Sequence, residues 1–395
     1  MTTAAFGRDG GIMSAPHLVH LFSSFGPGGA QLRTAALINR FGCRYRHTIA
    51  ALDRRTGARD LIDPGLDVGV IGPPEPGWPA PVRFGRMHAW LRMLQPDLVL
   101  TYGWPALELA LAGPWRPRAP VMHLPDDGVA AGPAARRLRP GWRARVALAR
   151  VDRVVVAGRA LERIARRLWR IPEASLCRIP NGIELDRFGR PPERNALPDF
   201  TRQPGEAIAG TVCTMRAAKG LDRLVRVFAK VADTRSARLV IVGDGPERGD
   251  LIRAIVELGL EGRVALPGYV PRPERYLGWF DVFALASESE QMPHSLMEAM
   301  AQGLPVVATD VGDIKAMVSE PNRDFVVDRA NEAAFAAKLD ALLRDGQLRM
   351  RLGRANRDKA LAEFGFERTA LGYARLFEEL LALQPAGHSH LGVSA

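Results

Sequence analysis

Asp281-Val-Phe-Ala-Leu-Ala286, Ser287-Glu-Ser-Glu-Gln-Met-Pro-His-Ser-Leu-Met-Glu298 and Ala299-Met-Ala-Gln-Gly-Leu-Pro-Val-Val-Ala308 are one continuous stretch of the chain. Its ends, 281–286 and 306–308, are short apolar runs of strand type, and Gly303 and Pro305 punctuate the approach to the second. The stretch therefore reads as strand, loop, short helix, strand. Pro293 suits the first turn of that helix, where a missing N–H costs nothing, and the amides of His294, Ser295 and Leu296 lack intrahelical partners there. With the positive end of the helix dipole, such a terminus seats a phosphate. Glu290 falls in the loop before the seat and Glu298 about one turn inside the helix, so the two carboxylates flank the anion. A ligand with hydroxyls on both sides of a diphosphate fits that spacing.

The same alternation runs through the chain in both directions. Strand candidates at 17–22, 47–52, 67–71, 97–101, 120–124 and 153–157 are separated by helical patterns such as 30–41, 82–94 and 159–169. Residues 189–206 are rich in Pro, Gly, Arg and Glu without periodicity and read as a linker. A second series follows, with strands at 207–213, 238–242, 263–266, 282–286, 306–308 and 325–327. Helical patterns without intervening strands close the chain. Alternating strands and helices signal α/β units on parallel sheets. The expected organisation is two Rossmann-like domains facing a central cleft. Residues 1–190 form the first, 191–206 the linker and 207–365 the second; a helix at 366–384 packs back on the first, before a disordered tail at 385–395.

Composition narrows the class. At 395 residues and 47% hydrophobic, the chain is long enough for two cores. Cys43, Cys177 and Cys213 are odd in number and widely spaced, as reduced cytosolic thiols are. The first 15 residues show no signal-peptide pattern, and no run of about 18 apolar residues suggests a membrane span. The net charge of +11 is uneven: residues 1–190 hold 28 Lys and Arg against 15 Asp and Glu, and every one of those cations is arginine. Arg136-Arg-Leu-Arg-Pro-Gly-Trp-Arg-Ala-Arg145 and the helical pattern 159–170 are the densest parts. One reading is a solvated, arginine-rich face. The other is a surface on anionic lipid headgroups, with Trp142 and Trp169 at the interface and the protein peripheral to the inner membrane. Nucleic-acid binding is disfavoured, because no recognition motif accompanies the charge.

Other turns carry candidate chemistry. Ser23-Ser-Phe-Gly-Pro-Gly-Gly-Ala-Gln31 joins the first strand to a helix, and Gly28 and Gly29 permit close backbone approach to a ligand. The dinucleotide spacing G-x-G-x-x-G is absent. Thr211-Val-Cys-Thr-Met-Arg-Ala-Ala-Lys-Gly220 places Arg216 and Lys219 at the C-terminal edge of a parallel strand, where such sheets bind ligands. Their counterpart is a diphosphate, with Arg forking onto oxygens and Lys acting as a point charge. Gly243, in Val242-Gly-Asp-Gly-Pro246, and Val270, in Leu266-Pro-Gly-Tyr-Val270, follow strands in turns that either pass a nucleotide or serve the turn alone. His123 closes its strand before Pro125-Asp-Asp-Gly128, and either a structural or a cleft-facing role fits it. No second His or Cys stands at ligand spacing, so no metal site is expected.

Together these segments resemble the retaining, nucleotide-sugar-dependent glycosyltransferases of family 4, which have the GT-B fold. The motifs occur in order: the Gly28-Gly29 turn, Ile179-Pro-Asn-Gly-Ile183, Arg216-x-x-Lys219-Gly220, Val242-Gly-Asp-Gly-Pro246, Glu290 with Glu298, and Gly303-x-Pro-Val-Val307. By that resemblance Arg216 and Lys219 hold the donor diphosphate, and Glu298 binds the ribose. Glu290 approaches the sugar hydroxyls, and Met292, Pro293, His294 and Ser295 supply the backbone near sugar and phosphate. Gly243 and Val270 line the donor, His123 contacts the transferred sugar with Asp127 as its partner, and Gly28-Gly29 touch donor phosphate and acceptor. Two departures stand out. Gln291 occupies the place of a common Gly, and the wording after His123 differs from the usual His-Asp or His-Gly.

The resemblance implies a metal-independent hexosyl transfer with no cofactor. The donor is a nucleoside-diphosphate sugar, with a UDP-sugar favoured over a GDP-sugar, and the acceptor is a glycan or lipid-linked molecule. It also implies a cytoplasmic place in polysaccharide or glycolipid synthesis. A nucleotide-sugar epimerase and a non-catalytic nucleotide-sugar-binding partner are the alternatives that share the architecture.

Overall fold

A computed structural model describes residues 15–72, 80–111, 113–114, 117–125, 141–232 and 236–383. The chain divides into two compact units, one of Met1–Pro125, Trp142–Arg153 and Arg375–Ala395, the other of Asp126–Gly141 and Val154–Ala374. Each is built on parallel strands with helices between them, as the alternation predicts.

The first unit runs β1 (His17–Phe22), α1 (Gly29–Phe41), β2 (Arg46–Ala51), β3 (Val68–Val70), α2 (Ala80–Leu94), β4 (Leu98–Tyr102), α3 (Trp104–Leu111), β5 (Val121–Leu124) and α4 (Trp142–Leu148). Its strands lie in the order β3-β2-β1-β4-β5, parallel throughout. Strands buried on both faces read as continuous apolar runs, and all six residues of β1 are buried. The two histidines within that run, His17 and His20, are buried with hydrogen-bond partners. The segment from Arg375 onward belongs to this unit. Phe377 packs edge-on against Phe41 and Tyr45, while Glu378 and Glu379 pair with Arg44 and Arg153.

The second unit takes up this part of the chain at Val154, within β6 (Arg153–Val156), and continues with α5 (Arg159–Arg167) and β7 (Leu176–Arg178), the two strands paired in parallel. It continues with β8 (Ala207–Val212), α6 (Leu221–Ala232), β9 (Ala237–Val242), α7 (Arg248–Glu257), β10 (Val264–Gly268), β11 (Val282–Leu285), α8 (His294–Gln302), β12 (Val306–Thr309), α9 (Ile314–Met317) and β13 (Val326–Val327). Helices α10 (Glu332–Arg344), α11 (Gly346–Glu363) and α12 (Phe366–Ala382) follow, and the boundary between the units falls inside α12. The sheet order is β10-β9-β8-β11-β12-β13. Alternation along β11 divides the core: Phe283 and Leu285 enter the apolar layer that holds Leu296, Met297 and Met300 of α8. Val282, Ala284 and Ala286 enter the opposite layer, with α6 and α10. Central β11 thus delivers its C-terminal end, and the loop after it, between two packed faces.

Buried amides fix the neighbouring strand. The Asn322 side chain accepts from the Val306 amide (3.0 Å) and donates to its carbonyl (2.8 Å), so it pairs the start of β12 as a strand residue would. Asn356 of α11, fully buried, donates to Asn322 (2.8 Å) and to the Leu304 carbonyl (2.9 Å) and accepts from Ser319 (2.7 Å). Leaving one such buried group unpaired costs about 1–3 kcal/mol. The far end of β12 then grips the loop after β11, where Thr309 Oγ1 donates to the Ser287 carbonyl (2.7 Å).

Several expectations change. The first segment of the 191–206 linker has neither helix nor strand, but Ala196, Leu197 and Phe200 are buried in the second unit's core. Glu193 and Glu206 are tied there to Arg275 and Arg238. Trp169, expected at a lipid interface, is buried at 8% exposure: the chain leaves α5 at Arg167 and folds back, and the Trp169 amide closes on Ile164 (3.2 Å). Pro293 precedes α8 as its cap residue and does not enter its first turn. Helix α3 escaped the periodicity reading because Trp104-Pro-Ala-Leu-Glu-Leu-Ala-Leu111 is apolar on nearly every side. The tail 385–395 lies outside the described residues.

Candidate active site

The loop from Ala286 to Pro293 is held at almost every residue. Arg223 donates to the Ala286 carbonyl (3.0 Å) and pairs with the Glu288 carboxylate, which Arg329 also approaches (3.2 Å). The Glu288 amide donates to Ala218 (2.8 Å). Beneath Glu290 lies Gly312, at φ +60, where a Cβ would run into the Glu290 carbonyl, so only glycine lets the two backbones meet. The Asp313 amide donates to the Gln291 carbonyl (3.3 Å), and the buried Asn181 side chain donates to the Met292 carbonyl (2.9 Å). Asp313 is doubly engaged, because its carboxylate also caps α5 by accepting from the Arg159 and Ala160 amides.

On this scaffold Lys219 and Glu290 come together. Lys219 Nζ lies 2.7 Å from Glu290 Oε1, which also accepts from Ser287 Oγ at 2.7 Å. The Glu290 side chain is only 8% exposed, so the lysine supplies a near-buried carboxylate with its countercharge. Arg216 starts the short turn Ala217–Lys219, its side chain exposed and without a hydrogen bond or ion pair among the described residues. The turn ends at Gly220, whose left-handed backbone (φ +57) leads into α6.

Pro293 caps α8, and the first intrahelical bond runs from the Met297 amide to the Pro293 carbonyl (3.4 Å). The amides of His294, Ser295 and Leu296 precede it, at the positive end of the helix. Glu298 follows one turn on, half-buried, with no hydrogen bond or ion pair among the described residues. Burial pushes its carboxyl up to about 7; the Glu274 carboxylate adds to the rise and the Arg187 guanidinium opposes it. Glu274 is itself clasped by Arg187 (3.2 Å to Nε), and its Oε2 atom is buried without a partner among the described residues.

The remaining residues divide by unit. In the second, the Val270 carbonyl accepts from the Tyr276 hydroxyl (3.3 Å). Gly243, at φ +137, makes room for the Cys213 carbonyl of the neighbouring strand, so its lack of a side chain already has a local steric reason. In the first unit Gly28 caps α1 in an extended conformation and Gly29 begins the helix. His123 is fully buried, 2.9 Å from Thr101 Oγ1 through Nδ1 and 5.5 Å from the Trp104 ring. Thr101 Oγ1 also lies 3.5 Å from the Met122 carbonyl, and His123 Nε2 has no hydrogen-bond partner among the described residues. Burial lowers the imidazole to about 3, so it stays neutral. Asp127, its expected partner, lies outside the described residues.

Sequence reading missed the residues that hold this loop in place. Asn181 stood in a quoted motif, but Asn-Gly reads as a turn and gives no sign of a contact 111 positions away. The Arg187–Glu274 and Arg223–Glu288 pairs join residues 87 and 65 positions apart, and no local spacing announces them. Among the described residues no group of three or more His, Cys, Asp or Glu side chains is placed to hold a metal ion.

Comparison with known proteins shows the family and the fold. A family model described as Glycosyltransferase Family 4 matches residues 27–187, and one described as Glycosyl transferases group 1 matches 194–359. The chain is 28% identical to the N-acetyl-alpha-D-glucosaminyl L-malate synthase of Bacillus anthracis over 45% of its own length and 46% of that protein. It is 32% identical to the D-inositol 3-phosphate glycosyltransferase of Nocardia farcinica over 65% of its length and 61% of the relative. It spans about half the length of the first curated relatives it matches. Anabaena HepE, solved in complex with UDP-glucose, superposes with a TM-score of 0.74 over 92% of this chain and 99% of that one, at 17% identity.

Glu298 gives the site a pH signature. Between the ordinary carboxylate range and about 7, the folded chain keeps a proton that the unfolded chain has lost, so this group's contribution to stability falls as pH rises through that interval. Glu298→Gln removes the ionisation. Differential scanning fluorimetry should find the variant level with the parent near about pH 5 and roughly 2–4 °C higher near about pH 8. A difference independent of pH contradicts the assignment.

Proposed function

The chain belongs to the glycosyltransferases of group 1, family 4, with the GT-B fold, and on that premise we propose that it moves a hexose from a nucleoside-diphosphate sugar to a glycan or lipid-linked acceptor, with retention of configuration. The observation that carries this reading is the Lys219–Glu290 pair set on a braced loop at the start of α8. A cation for phosphate, a carboxylate for hydroxyls and a helix N-terminus stand together there.

In the proposed reaction the donor diphosphate lies on the α8 amides, with Lys219 and Arg216 compensating its charge. Glu298 accepts from the ribose hydroxyls and Glu290 from those of the sugar. The bond from the anomeric carbon to the diphosphate oxygen breaks, and the acceptor oxygen bonds to that carbon on the same face. The acceptor proton passes to an oxygen of the departing diphosphate. Preorganised cations and helix amides lower the barrier because charge develops where they already point, and they do so without a metal. Glu290, bonded to Lys219 and Ser287, serves as a clamp and not as a covalent nucleophile. His123 offers a neutral imidazole to a sugar hydroxyl. A UDP-sugar is the first choice of donor, supported by the UDP-glucose in HepE, and a GDP-sugar the second.

Product analysis with UDP- and GDP-sugars tests the reaction class. Nucleoside diphosphate should appear with glycosylated acceptor, and Arg216→Ala should lower kcat/KM by about 10²–10³. Epimerised donor formed without an acceptor would replace this reading with the epimerase. Neither product, with donor binding intact, would leave a non-catalytic binding protein.

The inner membrane face is the proposed place of action. Among the described residues no helix is long and apolar enough to cross a membrane. On α4, Trp142 is 70% and Val146 38% exposed, and the Arg143 guanidinium lies over the Trp142 ring at 5.2 Å. An aromatic ring beside arginines suits an anionic interface. In flotation with anionic vesicles the protein should rise with the lipid at low salt and Trp142→Ala should rise less; equal recovery on neutral vesicles would exclude this surface.

A further inference from the structure

One helix of the second unit is capped by a residue that opens another. Helix α5 begins after Gly158, which has no side chain to accept from the free amides of the first turn. Asp313 precedes α9, where an aspartate ordinarily accepts from the helix it opens, yet its side chain makes no capping bond to α9. It crosses instead to a residue 154 positions earlier: Oδ2 accepts from the Arg159 amide, and Oδ1 accepts from the Ala160 amide (2.8 Å). Both amides stand at the positive end of α5, where a carboxylate is favoured.

The sequence makes room for this contact. Gly158 is buried in an extended conformation (φ −110, ψ 156) that any residue adopts. A Cβ there would lie 2.7 Å from Asp313 Oδ2 and 3.4 Å from the Gln291 carbonyl oxygen. Space for the carboxylate, not backbone strain, therefore explains the glycine. Three segments meet at this point: the turn before α5, the turn after β12 and the loop after β11.

Asp313 carries the contact onward through its backbone. Its amide donates to the Gln291 carbonyl (3.3 Å), and Gly312 before it supports the Glu290 carbonyl at a distance that excludes any Cβ. The neighbouring parts of the loop have other anchors. Asn181 holds the Met292 carbonyl (2.9 Å), and α8 is fixed by Leu296, Met297 and Met300 in the core. The helix terminus is thus secured apart from Asp313, whereas the backbone of Glu290 and Gln291 rests on it. That support matters most when a diphosphate competes for Lys219, because the Glu290 carboxylate is then held by Ser287 Oγ (2.7 Å) and by its own backbone.

We propose, on the reading of Glu290 as the clamp for the sugar, that Asp313 is a positioning residue for that clamp and that the first turn of α5 is the anchor from which it works. The α5 amides fix the carboxylate, the carboxylate fixes the Gly312-Asp313 turn, and the turn sets the height of Glu290 against the sugar. The first turn of α5 thereby contributes to binding of the sugar half of the donor and leaves the nucleotide half unaffected.

Arg159→Pro breaks the anchor without touching the loop. Proline is tolerated at the first position of a helix, after an extended residue such as Gly158, and it removes the N–H from which Asp313 accepts. Arg159→Ala controls for the lost guanidinium, and Asp313→Ala removes the carboxylate itself. The full chain and each variant are titrated calorimetrically with UDP and UDP-glucose, and with GDP and GDP-mannose. Arg159→Pro and Asp313→Ala should each weaken the nucleotide sugar about three- to tenfold and leave the free nucleotide within about twofold. Arg159→Ala should match the parent, and Asp313→Asn, which keeps an acceptor oxygen, should fall between the parent and Asp313→Ala. Equal losses for nucleotide and nucleotide sugar, or Arg159→Pro indistinguishable from Arg159→Ala, would overturn the proposal even where Glu290→Gln weakens the nucleotide sugar. A Glu290→Gln variant that binds both ligands as the parent does, or a parent that binds neither nucleotide sugar, would remove the clamp itself and the proposal with it.

Discussion

Lys219 and Glu290 depend on each other: a carboxylate this far from water is tolerable only with a countercharge, and the lysine reaches it only because two turns are brought side by side. One turn follows β8 and the other β11, adjacent parallel strands of the second sheet. The link between the turns is covalently remote but physically short, through the Glu288 amide on Ala218 and Arg223 on Ala286. Breaking that contact would strand one charge. Much of the second unit can be understood as support for this pair, from the Asn322–Asn356 amides that start β12 to Gly312 beneath the Glu290 carbonyl.

A second electrostatic arrangement lies one helical turn away and has the opposite character. Glu290 is paired, whereas Glu298 has no hydrogen bond or ion pair among the described residues and a carboxyl pushed up to about 7. Ligand hydroxyls at Glu298 would replace lost hydration, while a diphosphate near Lys219 competes with an existing ion pair. A paired carboxylate thus precedes the helix terminus, and one without a hydrogen bond or ion pair among the described residues follows it. That asymmetry matches a ligand with phosphate in the middle and hydroxyls at both ends.

The architecture was legible where physics is local. Strand positions such as 17–22 and 306–308 follow from apolar runs bounded by turn residues, and the helix terminus after Pro293 follows from sequence punctuation. Trp169 misled, because an amphipathic pattern says that one face is apolar without saying whether lipid or protein covers it. The buried residues between 191 and 206 were hidden by their charged and proline-rich neighbours. Of the candidate site, Lys219, Glu290 and the start of α8 could be picked out by residue type and turn position. Their supports, Asn181, Glu274 and Asp313, could not, since each acts across a contact that exists only in the folded chain.

The central claim is a division of labour, with Lys219 for phosphate and Glu290 for sugar. Calorimetric titration of Glu290→Gln with UDP and with UDP-glucose tests it most directly. The account predicts UDP affinity equal to or above the parent's, because the lysine is released from its carboxylate, and UDP-glucose affinity lower by about tenfold. Equal losses for both ligands, or no loss for either, would contradict it.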